Sequence, residues 1–317
     1  MLQPDLPQSI PLRAEPGPLE RRERRLQLAS LLPAPLIIAL FLVAPLLLVV
    51  AYSFMEANGY GGVLHKFSLD AYVQLLFERN LDDSLTFTDA YLMIALRSIS
   101  VAGMTTLITM LVGFPVAVYI ALQPAARRNR LILWITIPFW TNLLVRTYAW
   151  ILLLRDTGVV NGVLQALGII HHPITMLYTD GAVLVGLVYT YAPFMVLPIY
   201  SSVEKMDIRL IEAAHDLYAS KAQALLRVVL PAAAPGIVAG CMLTFIPCLG
   251  AMIAPELLGG GKKLMLGNLI YRQFTEARDW PFGSVFAVVL LIAIATAAAL
   301  ITLIRSSLSA SRARRPQ

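Results

Sequence analysis

Trp140, Tyr148 and Trp150 put three aromatic faces into one apolar stretch, and Arg146 sits among them. An aromatic face attracts an ammonium group by cation–π interaction, worth about 0.5–2 kcal/mol. Trp140 and Tyr148 are eight residues apart, close to one face if the stretch is a continuous helix. This chemistry suits a pathway for small cations. Two plainer roles compete with it. Trp and Tyr near a span end form an interfacial belt, which fits Trp150, and bundle packing fits Trp140. Arg146 would repel a cation, so a structural or gating ion pair suits it better than substrate contact. Asp89, Asp156 and Glu256 are the acids it could reach. Glu256 directly follows Pro255 where an apolar run ends. It reads either as an acid receiving a cation or as a solvated loop residue.

A second constellation is polar. Glu212-Ala213-Ala214-His215-Asp216-Leu217-Tyr218-Ala219-Ser220 lies between two apolar segments. Asp207 is placed to cap a helix, with Ile208, Ile211 and His215 toward one side. Ser220-Lys221-Ala222-Gln223 has the form of a capping box, so a second helix starts there. The stretch reads as helix, tight turn at Tyr218-Ala219, helix. Pro231 and Pro235 then disturb the backbone as apolar sequence resumes.

Other chemistry is missing from the pattern. No Walker motif, zinc spacing or nucleophile–base pair occurs, so no catalytic residue and no metal site are expected. Gly259-Gly260-Gly261-Lys262-Lys263 lacks the first Gly of a phosphate loop and the Ser or Thr after Lys. Cys241 and Cys248 share one apolar segment and read as packing residues.

The elements that position these residues are set by composition. Hydrophobic residues make up 58% and charged residues 14%, against about 25% charged in soluble domains. The mean hydropathy is +0.72. This is a polytopic all-α membrane protein. Its net charge of +6 belongs to topology and anionic lipid, not to nucleic acid. A span takes about 20 apolar residues, and six transmembrane helices are expected near 31–54, 91–122, 131–154, 181–202, 229–255 and 283–304. With the N-terminus inside, the inner segments hold 16 Lys and Arg and the outer ones 7. Both termini are therefore expected to be cytoplasmic, together with the Glu212 loop.

In order, residues 1–30 are a basic, proline-bearing tail without apolar periodicity. Residues 31–90 hold the first span and an acidic outer loop, with Glu56, Asp70, Glu78, Asp82, Asp83 and Asp89 against Lys66 and Arg79. That loop is either solvated surface or a face for an external partner or cation. Residues 91–305 form the core, with the polar helical loop near 204–227, and 306–317 form a basic tail. Ala232, Gly236 and Gly240 recur every four residues, a stripe for close helix packing or, alternatively, a dimer contact.

Glu212-Ala213-Ala214, with Leu230-Pro231 and Pro235-Gly236-Ile237 at this distance, resembles the EAA loop of bacterial ABC-importer permeases. The family usually has Gly where this chain has Tyr218. Pro138-Phe139-Trp140-Thr141-Asn142 through Trp150 is similar to the spermidine/putrescine branch. So are Pro255 to Gly260, Gly267-Asn268-Leu269-Ile270 and Ala277 to Gly283. The resemblance covers most of 91–305. It implies the type I ABC importer permease fold in the bacterial inner membrane, multi-pass. It implies a second permease subunit, ABC ATPase subunits inside and a solute-binding protein outside. Glu212, Ala213, Ala214, Asp216 and Tyr218 would then form the coupling helix that docks on the ATPase. ATP and Mg would be held by that partner, with no cofactor on this chain. An importer for another small solute is the nearest alternative. An ATP-independent channel or secondary transporter is a further one.

Overall fold

The structure is a computed structural model that describes residues 33–79 and 85–313. The basic segment 1–30, the acids Asp82 and Asp83, and residues 314–317 of the basic tail lie outside the described residues. The chain divides into two units, one ending at Ala51 and one beginning at Tyr52. The first contains almost all of α1 (Pro33–Ser53). Its stretch Pro35–Ser53 has a mean hydropathy of 2.7 and no charge, as expected of the first span.

The second unit opens with a loop that is not helical throughout. β1 (Met55–Ala57) pairs antiparallel with β2 (Val63–Phe67). After the short α2 (Asp70–Val73), β3 (Phe77–Arg79) pairs with β4 (Leu85–Phe87). These two small hairpins are an addition to the helical fold expected from composition. Gly61 and Gly62 take φ of 99° and 90°, which lets the chain reverse before β2. The rings of Phe77 and Phe87, direct cross-strand partners, meet edge-on at 6.1 Å, the kind of pair that stabilises a short ladder.

The helices follow as α3 (Ala90–Ala121), α4 (Ala125–Trp140), α5 (Leu143–Leu154), α6 (Val159–Ala166), α7 (Asp180–Glu204), α8 (Arg209–Asp216) and α9 (Lys221–Ala224). After a π-helical turn at Leu225–Val229 come α10 (Leu230–Leu249), α11 (Ile253–Leu258), α12 (Leu266–Thr275) and α13 (Trp280–Ala313). Among the described residues four helices are long and apolar enough to cross a membrane, or five if α4 and the helices after it count as one broken span. The sixth predicted span, 283–304, falls within α13, one continuous helix of 34 residues.

The third predicted span is not one helix. α4 and the following Leu143–Ala166 meet at 92°. Pro138 brings no N–H to the ladder. Thr141 is extended at φ −80° and ψ 148°. The Asn142 side chain then accepts from the Leu144 N–H at 2.8 Å and caps a new helix. A cap in mid-segment outweighs the apolar continuity on which the single span was predicted.

The core forms where α3, α7 and α10 pack together, with Met195, Ile199, Ile120 and Ala233 almost wholly buried. Helices in lipid gain little from hydrophobic burial, so close backbone approach carries the packing. A Cβ on Gly240 would lie 2.8 Å from Met195 Sδ and 3.1 Å from its carbonyl oxygen. A Cβ on Gly236 would run into the Pro198 carbonyl oxygen, with Ser202 Oγ at 2.6 Å. The predicted small-residue stripe therefore packs on α7 of its own chain. Ala232 itself is only half-buried, and the neighbouring Ala233 occupies the interface.

Candidate functional site

Glu212, Ala213, Ala214, Asp216 and Tyr218 are brought together on one short helix and its terminal turn. The Asp207 side chain accepts from the Arg209 N–H at 3.0 Å, the expected cap. Ile211 packs against the core, and Ala214 is half-buried on the same side. Ile208 and His215 are exposed, so the inner face is narrower than their spacing predicted. Outward lie Glu212, Ala213 and Asp216, flanked by Leu217 at 83% and Tyr218 at 98% exposure. Large apolar side chains this open, beside carboxylates, form a knob suited to a protein groove.

The turn after α8 is built by hydrogen bonds. Tyr218 N–H donates to His215 O at 2.9 Å and Ala219 N–H donates to Ala214 O at 3.0 Å. This is a Schellman motif, with Tyr218 in the left-handed position at φ 57°, where Gly has no Cβ penalty. The usual family Gly thus has a plain physical reason. Tyr218→Gly should preserve the turn and stabilise it by up to about 1 kcal/mol. Tyr218→Pro fixes φ near −65° and removes the N–H that bonds His215, so it should melt the turn. Thermal unfolding of the two purified variants checks this; equal stabilities would remove the restrictive turn. After it, Ser220 Oγ accepts from Gln223 N–H at 3.3 Å, and Gln223 Oε1 accepts from Ser220 N–H at 2.9 Å. The capping box is present as predicted.

The aromatic residues are dispersed. Trp140 ends α4 and is 87% exposed, while Tyr148 lies on α5 beyond the break and is 55% exposed. They do not share a helical face, which corrects the spacing argument. Trp150 packs edge-on against Tyr189 at 5.7 Å, so part of its surface is occupied within the chain. Arg146 has no ion pair among the described residues, and its buried Nε has no hydrogen-bond partner. The pairing of Arg146 with Glu256 is not formed.

Glu256 is held elsewhere. Arg272 Nη2 donates to its Oε1 at 2.6 Å and Asn268 Nδ2 donates to its Oε2 at 3.0 Å. Burial pushes this carboxyl up, but the two donors and the Arg272 charge outweigh that and hold it below its ordinary range. A depressed carboxyl contributes stability that is present above its unfolded value and is lost as pH falls through its folded value. The wild type should therefore lose stability on acidification just below the ordinary carboxylate range. Glu256→Gln should flatten that part of the curve in a pH series of melting temperatures.

A second ionic group was missed in the sequence. Arg97 Nη2 pairs with Asp180 Oδ1, and Lys263 Nζ lies 3.2 Å from Asp180 Oδ2. Arg97 thus has a carboxylate partner rather than simply reaching for solvent. Nearby, Ser98 Oγ accepts the Leu266 N–H at 2.8 Å. These contacts tie α3, the start of α7 and the segment before α12. The only sequence signal was charge at the predicted span edges. Among the described residues no group of three or more metal-ligating side chains occurs.

Residues 90–313 match the family described as "Binding-protein-dependent transport system inner membrane component". The chain belongs to this family. It is thus a multi-pass inner membrane component of a binding-protein-dependent transport system, as the Glu-Ala-Ala resemblance implied. Family relatives include the "Spermidine/putrescine transport system permease protein PotB" of Escherichia coli (strain K12). That protein is 40% identical over 255 residues, covering 80% of this chain and 89% of the relative. The protein of the same name from Haemophilus influenzae is 38% identical and covers 80% and 85%. A chain of a solved bacterial alginate ABC transporter, crystallised with an alginate pentasaccharide-bound periplasmic protein, matches with a TM-score of 0.69. It covers 88% of this chain and 94% of that one at 16% identity, a likeness of fold.

Proposed function

We propose that this chain is the permease subunit of an ATP-driven importer that takes up polyamines such as putrescine and spermidine. The observation that carries this is the 40% identity, across 80% of the chain, to a spermidine/putrescine permease. The exposed α8 knob supports the coupling role. ATP and Mg would be held by separate ABC ATPase subunits that receive α8. A second permease subunit would complete the pore, and an external solute-binding protein would deliver the solute. The excess of Lys and Arg in the α8-side segments supports a cytoplasmic α8 and cytoplasmic termini. Closure of the ATPase pair would move α8, and α8 would bias a two-state bundle.

The test is uptake by vesicles containing the whole assembly. Putrescine and spermidine should accumulate in an ATP-dependent way, and a neutral solute of similar length should not. ATP-dependent uptake of the neutral solute alone would overturn the polyamine assignment while leaving the importer in place. Uptake without ATP would overturn the importer.

A further inference from the structure

We infer that Asp180 is an ammonium-receiving carboxylate of the permease, occupied by the Lys263 ammonium until a substrate ammonium takes its place. This deepens, and rests on, the polyamine reading above. The argument begins with which carboxylate can be reached. Glu256 is the acid its sequence position suggested, but both of its oxygens accept hydrogen bonds, from Arg272 and Asn268, and it is two-thirds covered. Releasing it would cost Arg272 its nearest carboxylate and leave the fully buried Asn268 amide without that acceptor, which is unfavourable. Asp180 differs. Its side chain is 54% exposed. One oxygen is fixed by Arg97, and among the described residues the other is held only by Lys263.

Lys263 carries a primary ammonium on a flexible alkyl stem. That is chemically the terminal group of an alkyl polyamine. Exchange of one for the other conserves charge at Asp180 and keeps its second oxygen paired. Arg97 is not exchanged in this way, because its planar donors fit a carboxylate differently from an ammonium. Asp180 also stands in the first turn of α7, where the helix dipole favours a negative charge. Lys263 stands in a glycine-rich segment, where Gly260 and Gly261 take φ of 65° and 69°. On the proposed topology this segment faces the side from which solute arrives.

The experiment uses the complete assembly in vesicles and reads KM and kcat for putrescine. Lys263→Met removes the internal competitor and should lower KM about two- to fivefold, the equivalent of an exposed ion pair. Asp180→Asn should raise KM by more than kcat falls, and adding Lys263→Met to it should give no further gain. A mono-acetylated putrescine, with one ammonium, should respond less to both changes. If Asp180→Asn prevents assembly, Lys263→Met alone decides the matter. Should that variant assemble normally with KM unchanged or raised, Asp180 is a structural tie and the assignment is wrong. Wild-type vesicles that take up neither putrescine nor spermidine would instead overturn the polyamine reading itself.

Discussion

Gly236→Val should unfold at a markedly lower temperature than the wild type, with a loss of about 3 kcal/mol in stability. A Cβ at this position meets the Pro198 carbonyl oxygen, the Ser202 hydroxyl and the Ile199 Cα at 2.8 Å. Two of these three atoms are backbone and cannot rotate away. Relief requires α10 to move off α7, and α7 also carries Met195 and Ile199, among the most buried side chains described. The contrasting substitution is Gly103→Ala on α3. A Cβ there meets nothing within 4 Å, so the substitution should gain about 0.5–1 kcal/mol from reduced chain entropy. Thermal unfolding of the three proteins in one detergent should give, from least to most stable, Gly236→Val, the wild type and Gly103→Ala. A Gly236→Val protein as stable as the wild type would mean that α7 and α10 do not approach this closely.

Glu212→Ala should weaken docking of the ATPase subunit roughly tenfold to a hundredfold, the equivalent of losing one charge-assisted contact of about 1.5–3 kcal/mol. The reason lies in what Glu212 does not do. It is exposed, and among the described residues its carboxylate makes no ion pair or hydrogen bond within the chain. Its removal therefore leaves α8 and the membrane helices standing, and the effect falls on a partner. Insertion and melting should match the wild type, while affinity for the ATPase subunit and coupled ATP hydrolysis fall. Wild-type transport with normally coupled hydrolysis would remove Glu212 from the interface.

What the sequence made legible was local. The Ser220 capping box, the Asp207 cap and the turn at Tyr218 each depend on a few neighbouring residues, and each is in place. Four of the six predicted spans coincide with long apolar helices among the described residues, because a membrane imposes one length scale. The break at Thr141-Asn142 was hidden by that same criterion, since hydropathy runs through it. Pro138 followed by Asn142 was the available sign. The ionic partners were not legible at all. Arg272 lies sixteen residues from Glu256, and Asp180 lies eighty-three from both Arg97 and Lys263. Only the fold decides which acid each cation meets, and it gives Glu256 to Arg272 instead of Arg146.

The π-helical turn at Leu225–Val229 has a consequence for how α8 is aimed. Leu230 N–H donates to Leu225 O, five residues back, where Pro231 begins to interrupt the ordinary ladder. Such a turn takes up one residue more than an α-turn, and one residue is about 100° of rotation about the helix axis. Ile211 of α8 packs in the same cluster as Val229 of this turn and Ala233 of α10, so the turn helps set where α8 meets that core. Shortening this turn by one residue would rotate α9 by about 100° relative to α10, against the contact that Ile211 makes with the core. The wide turn acts as an indexing joint between the long helix α10 and the exposed knob at Leu217 and Tyr218.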